Sequence, residues 1–329
     1  MNSLSIEQYP VFSFRFLRAY IITMRPYLMF VSGATTIAGM SFAAELNVTK
    51  TILIFVAGFL SYGFGQALTD CFQIDTDSLS SPYRPLTQGI VSRNSFLAIS
   101  SIGLFFCVSV LAYFNPVNIA LGFLAGIGLA TYTNFKRKWW AGPFYNAWIV
   151  LVLFLMSYFA ASGNIHLDFS KPIFLAASLT VFFGYANFVL TGYFKDISAD
   201  KTTAYNTLPV RFGRKISAVI SDIYAAVVIL SVFIIVLILA FDSVPFHIII
   251  KALIFVYTGI GMSILTQISL HNVKTDDEAH LAIVPCVHCY ILFLSGLSIL
   301  NKPEWFIYLL GFFFLYIFTI IVRPAREQI

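Results

Sequence analysis

Apolar residues run through this chain in blocks of about twenty, long enough for a helix to cross a bilayer, and polar residues collect in the short stretches between the blocks. Sliding along the chain places candidate spans at 21–43, 50–70, 94–113, 116–134, 144–162, 172–193, 216–241, 245–270, 282–300 and 305–322. So many spans with so little chain between them predict an all-α fold, a polytopic membrane bundle of nine or ten transmembrane helices around a central cavity. The pattern leaves no room for a separate soluble domain. The chain therefore reads as one integral-membrane domain over 1–329, with an N-terminal half at 20–140 and a C-terminal half at 141–329.

Composition sharpens this picture. A hydrophobic fraction of 59% with 11% charged residues excludes an ordinary soluble domain. The net charge of +5 is spread over loops and implies no nucleic-acid partner. Basic residues do sort by side: Arg84, Lys136, Arg137, Lys138, Lys195, Arg211 and Arg214 fall on one face of a ten-span arrangement, Lys50, Lys171 and Lys302 on the other. The positive-inside rule then puts the N-terminus and the long polar loops at 71–93, 135–143, 194–215 and 271–281 in the cytoplasm, with a cell membrane as the location in a bacterium. The N-terminal stretch lacks the short apolar core and cleavage site of a secretory signal, so the first span is expected to stay. Cys71, Cys107, Cys286 and Cys289 lie in or beside apolar segments, where a thiol packs as a small apolar group. Cys286-Val-His288-Cys289 has zinc-like spacing but no second ligand pair.

Fifteen carboxylates are few, and two groups of them end apolar segments: Asp70, Asp75 and Asp77 in LTDCFQIDTDSLSSPYRPL, Asp196 and Asp200 in YFKDISADKTTAYNTLPVRFG. Carboxylates are costly beside a bilayer unless they bind something. Two groups at one membrane level suggest Mg2+ and an anionic substrate such as a diphosphate. If the second span continues as a helix, Gln66, Asp70, Gln73 and Asp77 follow i, i+4, i+7, i+11 and form one stripe, with Asp75 pointing away. Asp196 and Asp200 share a face at i, i+4. The bland alternative is a set of loop charges and helix caps.

Between the clusters, Tyr132 and Lys136 share a helical face. A lysine there can neutralise the oxygens of a departing diphosphate and the tyrosine can donate a hydrogen bond; a topogenic basic loop with an interfacial tyrosine would look the same. Arg84, Lys195 and Arg211 divide likewise between phosphate contact and membrane anchoring. Asn146 and Asn187 could orient a polar acceptor or tie helices together, and Arg25 could meet an acceptor carboxylate or a lipid headgroup. Arg84-Pro85-Leu86 and Leu208-Pro209-Val210-Arg211 form a short echo between the halves.

From Arg25-Pro26 to about Gly213 the chain resembles the UbiA family of intramembrane prenyltransferases. The family's first motif starts Asn-Asp, has aspartates four and eight residues after the Asn, and is followed by Arg-Pro-Leu. Aligned on Arg84-Pro85-Leu86, it puts Thr69 at the asparagine, Asp70 next, Gln73 at the central aspartate and Asp77 at the last. The Tyr-x-x-x-Lys motif is intact at Tyr132 and Lys136, and the second aspartate motif at Asp196 and Asp200. The resemblance implies Mg2+-dependent transfer of a prenyl group from an isoprenoid diphosphate to a lipophilic aromatic acceptor. It implies metal ligation by Asp70, Gln73, Asp77, Asp196 and Asp200, and catalysis by Lys136, Tyr132, Asp77 and Asp196. Substrate contacts would come from Arg84, Lys195, Arg211, Asn146, Asn187, Arg25 and Gln66. Thr69 and Gln73 depart from the motif at two ligand or supporting positions, so the first metal would lean on Asp70, Asp77, Gln66 or Asp75; the Gln73 amide oxygen can still coordinate Mg2+ but without the aspartate's charge. A membrane terpene cyclase would use the same parts. An ion-coupled transporter would leave the three motifs as coincidence and lacks paired broken-helix signals.

Overall fold

Thirteen α-helices follow one another in the computed structural model, which describes residues 8–166, 171–241 and 244–323. They are α1 (Phe14–Met24), α2 (Met29–Met40), α3 (Val48–Asp70), α4 (Ile74–Ser80), α5 (Arg93–Phe114), α6 (Val117–Lys136), α7 (Gly142–Ser162), α8 (Pro172–Tyr193), α9 (Ile197–Thr202), α10 (Leu208–Phe241), α11 (Phe246–Asn272), α12 (His280–Asn301) and α13 (Phe306–Val322). Among the described residues there is no strand, and nine helices are long and apolar enough to cross a membrane. The outermost residues of the expected 1–329 domain, including the start of the N-terminal stretch, lie outside the described residues.

Nine of the ten expected spans match single long helices. The tenth, at 21–43, does not: the chain breaks between α1 and α2, so this segment is two short helices. Arg25 takes a left-handed conformation there (φ 51°, ψ 69°) and Pro26 follows it. The break is costly for a residue with a Cβ, and it turns the Arg25 side chain inward. The stripe expected on a continuous second span is corrected in the same way. Helix α3 ends at Asp70, a short turn carries Cys71 and Phe72, and Gln73 caps the separate helix α4.

Close backbone approach holds α2 in the bundle. A Cβ on Gly58 would lie 1.9 Å from Thr36 Oγ1, and one on Gly39 would lie 2.5 Å from the Phe154 carbonyl oxygen, so these small residues let α3 and α7 clasp α2. Each half ends a long helix in a turn and a short helix, α3 into α4 and α8 into α9. The two short helices meet through the Thr76 and Thr203 hydroxyls, 2.9 Å apart. Helix α12 is buried over most of its length between α2, α8 and α11. It leaves only a small space of about 250 Å³ beside α8, α10 and α11.

Candidate functional site

The end of α3, the turn after it and α4 bring Gln66, Asp70, Gln73 and Asp77 to one open cavity of about 830 Å³. Arg25 Nη2 donates to both Asp70 oxygens at 2.9 and 3.2 Å, and Gln66 Nε2 donates to Asp70 Oδ1 at 2.6 Å. Arg84 pairs with Asp77 and lies 3.8 Å from Asp70. Both aspartates are buried, so each charge is tolerated only because cations and amides surround it. Asp75, exposed on the other side of α4, meets Arg137 instead, as the helical reading anticipated.

The second half supplies Asp196, which opens α9, and Asp200, one turn further on. Asp196 repeats the position of Gln73, and Asp200 that of Asp77: in both turns the later residue's N–H bonds the earlier residue's carbonyl, at 2.9 Å in the first and 2.7 Å in the second. Lys136, the last residue of α6, stands between the two turns. Its Nζ donates to Gln73 Oε1 at 3.0 Å and lies 3.7 Å from Asp200 and 3.9 Å from Asp196. Tyr132, one turn earlier, sets its hydroxyl 3.2 Å from that of Tyr193.

Lys195 and Asn146 also line this cavity. Three expected residues do not: Asp200 is buried just behind Asp196, and Arg211 and Asn187 lie elsewhere. Arg211 is exposed and lies apart from the cavity lining, in the helical turn that precedes the kink at Gly213. Asn187 faces the small space beside α12 and accepts a hydrogen bond from Ser221, so it ties α8 to α10. Tyr62, Tyr185 and Tyr193 line the cavity without having been singled out from the sequence. The signal was available in part: Tyr185, Val189 and Tyr193 recur every fourth residue on α8 toward Asp196, as Tyr62, Gln66 and Asp70 do on α3 toward Gln73.

A second cavity of about 790 Å³ shares Tyr62, Gln66, Thr69, Asn146 and Tyr185 with the first. It continues among α3, α5, α6 and α7, past Gly65, Leu104 and Leu153 to Leu111 and Met156, and its lining is almost wholly apolar. A charged chamber thus adjoins a greasy one.

Burial shapes the charges of the polar chamber. It pushes Asp200 up to about 7, against the opposing pull of Lys136, and it raises Asp77 despite Arg84. Burial also brings Lys195 down to about 8, with the neighbouring Arg84 adding to the shift. For Arg84 burial acts downward, but Asp77 and Asp70 more than reverse it.

The carboxylates fit divalent cations as two pairs, Asp70 with Asp77 and Asp196 with Asp200; among the described residues no three acidic, His or Cys side chains close on one point. Asp200 Oδ1 is buried with no hydrogen-bond partner, Lys136 Nζ standing 3.7 Å away, so it keeps acceptor capacity for a bound cation. One or two carboxylates with water and phosphate are what Mg2+ requires. The Gln73 amide oxygen is engaged by Lys136. The Cys286 and Cys289 thiols are buried and free, and Cys289 donates to the Cys286 carbonyl.

The UbiA prenyltransferase family model matches residues 32–282. The digeranylgeranylglyceryl phosphate synthase of Thermococcus kodakarensis is 30% identical over 220 residues, covering 66% of this chain and 76% of that one. The apo structure of a UbiA homolog from Aeropyrum pernix K1 superposes with a TM-score of 0.65 at 19% identity, over 82% of this chain and 96% of that one. A UbiA homolog from Archaeoglobus fulgidus bound to DMAPP and Mg2+ superposes with a TM-score of 0.64 at 16% identity, over 86% and 99%. The lipophilic aromatic acceptor expected from the sequence finds no support among these relatives.

Proposed function

Because this chain belongs to the UbiA prenyltransferase family, we propose that it transfers a prenyl group from an isoprenoid diphosphate to a hydroxyl of a glyceryl phosphate and releases diphosphate. The observation that carries this reading is the adjacency of the two cavities, where a chamber lined by Arg25, Arg84, Lys136 and Lys195 shares five lining residues with an apolar one. A diphosphate head and an isoprenoid tail need those two surroundings side by side. The name of the Thermococcus kodakarensis relative supplies the acceptor class. A phosphate on the acceptor would find Lys195 in the polar chamber, beside the three cations that meet the donor.

In this reading Lys136, Arg84 and Arg25 bind the anionic oxygens of the donor and are already in place when negative charge grows on them. Mg2+, held by Asp70 and Asp77 and by Asp196 and Asp200, would add Lewis-acid neutralisation of the leaving group. The C1–O bond breaks with its electron pair going to the diphosphate, and the acceptor oxygen takes its place at C1. The hydroxyl proton passes to the departing diphosphate. Tyr62 and Tyr185, which line both chambers, present aromatic faces to a developing allylic cation, an attraction of about 0.5–2 kcal/mol each, and the apolar lining keeps water from capturing it. Both halves build the chamber, so the chain acts as one unit. The charge asymmetry of the loops supports a cytoplasmic side for the chamber.

The test is product analysis. Purified protein in lipid nanodiscs receives Mg2+, geranylgeranyl diphosphate, and either geranylgeranylglyceryl phosphate or a panel of phenols and quinolones. Diphosphate release with a doubly prenylated glyceryl phosphate is expected. Adducts formed only with aromatic compounds overturn the acceptor assignment, a cyclised hydrocarbon replaces transfer by cyclisation, and no diphosphate release with any donor overturns the whole reading.

A further inference from the structure

Three segments that are far apart in sequence meet just outside the polar chamber: α4, the loop after α6 and the loop after α9. Arg137 Nη2 donates to Asp75 Oδ2 at 3.0 Å and to the Tyr205 hydroxyl at 3.3 Å, and that hydroxyl donates to Asp75 Oδ1 at 3.3 Å. The Tyr205 ring is fully buried. The Arg137 guanidinium lies 4.5 Å from its centroid and the Lys136 ammonium 5.3 Å. The backbone adds to the join: Asn206 N–H bonds the Arg137 carbonyl at 3.1 Å, and Tyr205 N–H bonds the Asp200 carbonyl at 2.8 Å. Ala204 adopts a left-handed conformation (φ 58°) that turns Tyr205 inward.

Asp75 and Arg137 are each 45% exposed, and an isolated pair that open to solvent contributes little. The buried tyrosine changes this. It accepts from one partner, donates to the other, and is itself bonded through its backbone to Asp200. Each member sits close to the chamber's charged groups along the chain or through the backbone: Arg137 follows Lys136, Asp75 lies two residues from both Gln73 and Asp77 on α4, and Tyr205 N–H bonds the carbonyl of Asp200, whose carboxylate lies 3.7 Å from Lys136.

We propose that Asp75, Arg137 and Tyr205 are positioning residues that hold Lys136 in register between the two carboxylate pairs, and that Asp75 serves this cluster instead of a metal. The proposal rests on the prenyl-transfer reading, because Lys136 matters through the diphosphate it meets. The cluster sets how far Lys136 reaches and how closely α4 approaches the loop after α9. Loosening it therefore weakens the grip on diphosphate and leaves the acceptor contacts unchanged.

The experiment compares D75N, R137Q, Y205F and the double variant D75N/R137Q with wild type in nanodiscs containing Mg2+. Binding of inorganic pyrophosphate is measured by calorimetry, alongside kcat, the two KM values and the melting temperature. Each single variant is expected to bind pyrophosphate roughly five- to tenfold more weakly and to lose kcat to a similar extent, with acceptor KM unchanged. The double variant should be no worse than the poorer single, and R137K should recover part of the loss. Unchanged pyrophosphate affinity in all three singles, or losses that merely track a lowered melting temperature, would overturn the proposal. Y205F, which keeps the ring, separates the hydroxyl's role from packing. Because pyrophosphate binding needs no acceptor, failure of turnover with every donor would sink the functional reading while the binding data still decide on the cluster.

Discussion

The Lys136 ammonium donates to Gln73 Oε1 at 3.0 Å, and through this bond one buried cation links the first half of the chain to Asp196 and Asp200 of the second. An amide at position 73 leaves the turn of Gln73 and Asp77 one carboxylate short of the matching turn of Asp196 and Asp200, a turn to which Asp70 adds the first half's second carboxylate. Two unit charges about 4 Å apart interact by about 4 kcal/mol at an effective dielectric near 20, and Lys136 would absorb part of any added charge. Q73D is therefore expected to lower the Mg2+ concentration that half-activates diphosphate release by roughly tenfold, or about 1.4 kcal/mol. A magnesium titration checks this, and an unchanged or raised midpoint rejects a shortage of charge at this turn.

Asp196 lines the chamber and Asp200 is buried behind it with one oxygen that has no hydrogen-bond partner. D196A should cut turnover by roughly a hundredfold or more, in the range seen when one preorganised electrostatic contact to a transition state is lost. Steady-state diphosphate release measures it. Retained activity would remove the second pair from the site.

The Arg25 and Asp70 pair is buried, and the αL backbone at Arg25 is strained to make it. Removing the arginine alone leaves a buried carboxylate with weakened compensation, which costs about 3–5 kcal/mol, less about 1–2 kcal/mol of backbone strain if the replacement is glycine. R25A should melt well below wild type, R25G above R25A, and R25A/D70N should regain much of the loss. Thermal unfolding in detergent gives the order, and equal melting temperatures for R25A and R25G would show that the strain is absent in solution.

Asp200 keeps its proton up to about 7 in the folded chain, against 3.8 as the ordinary value. Between these values the folded state holds a proton that the unfolded state has released, so folding stability without metal falls as pH rises through that window and levels off above it. The melting temperature of metal-free protein should drop from about pH 5 to about pH 7, and D200N should flatten the slope. An identical slope in D200N would assign the effect to another group.

Gly65 lines the apolar chamber, and a Cβ added there would meet Leu129 at 3.6 Å, an ordinary contact. G65L can therefore keep the fold while filling space intended for a tail. A side chain forced against a bound chain costs about 1–3 kcal/mol, so kcat/KM for geranylgeranyl diphosphate should fall roughly ten- to hundredfold relative to dimethylallyl diphosphate. Competition between the two donors reads this directly, and an unchanged ratio would place the tail elsewhere.

Much of this was legible in the sequence because membrane spans announce themselves by length and polarity. The pairing of Asp196 with Asp200, the outward turn of Asp75 and the shared face of Tyr132 and Lys136 followed from helical spacing alone. What stayed hidden depends on backbone that hydropathy does not register. The break at Arg25-Pro26 lies inside an apolar run, and only its αL turn reveals why an arginine belongs there. The continuous stripe from Gln66 to Asp77 failed for a related reason, since a turn at Cys71 and Phe72 does the work expected of helix continuity. Arg211 was drawn in by its place in a motif, but its side chain is exposed. Asn187 was drawn in by polarity, and a hydroxyl from α10 satisfies it.

Helix α12 has an effect on direction. The two halves repeat one plan, with Tyr62 and Tyr185 standing at matching places on α3 and α8, and a cavity with matching walls could accept a long molecule pointing either way. Only one side remains hollow. In the second half the corresponding space among α8, α10 and α11 is plugged by α12 down to about 250 Å³, while the first half keeps about 790 Å³. A helix that reaches the charged chamber only through Ile283 thus gives two similarly planned halves a single polarity.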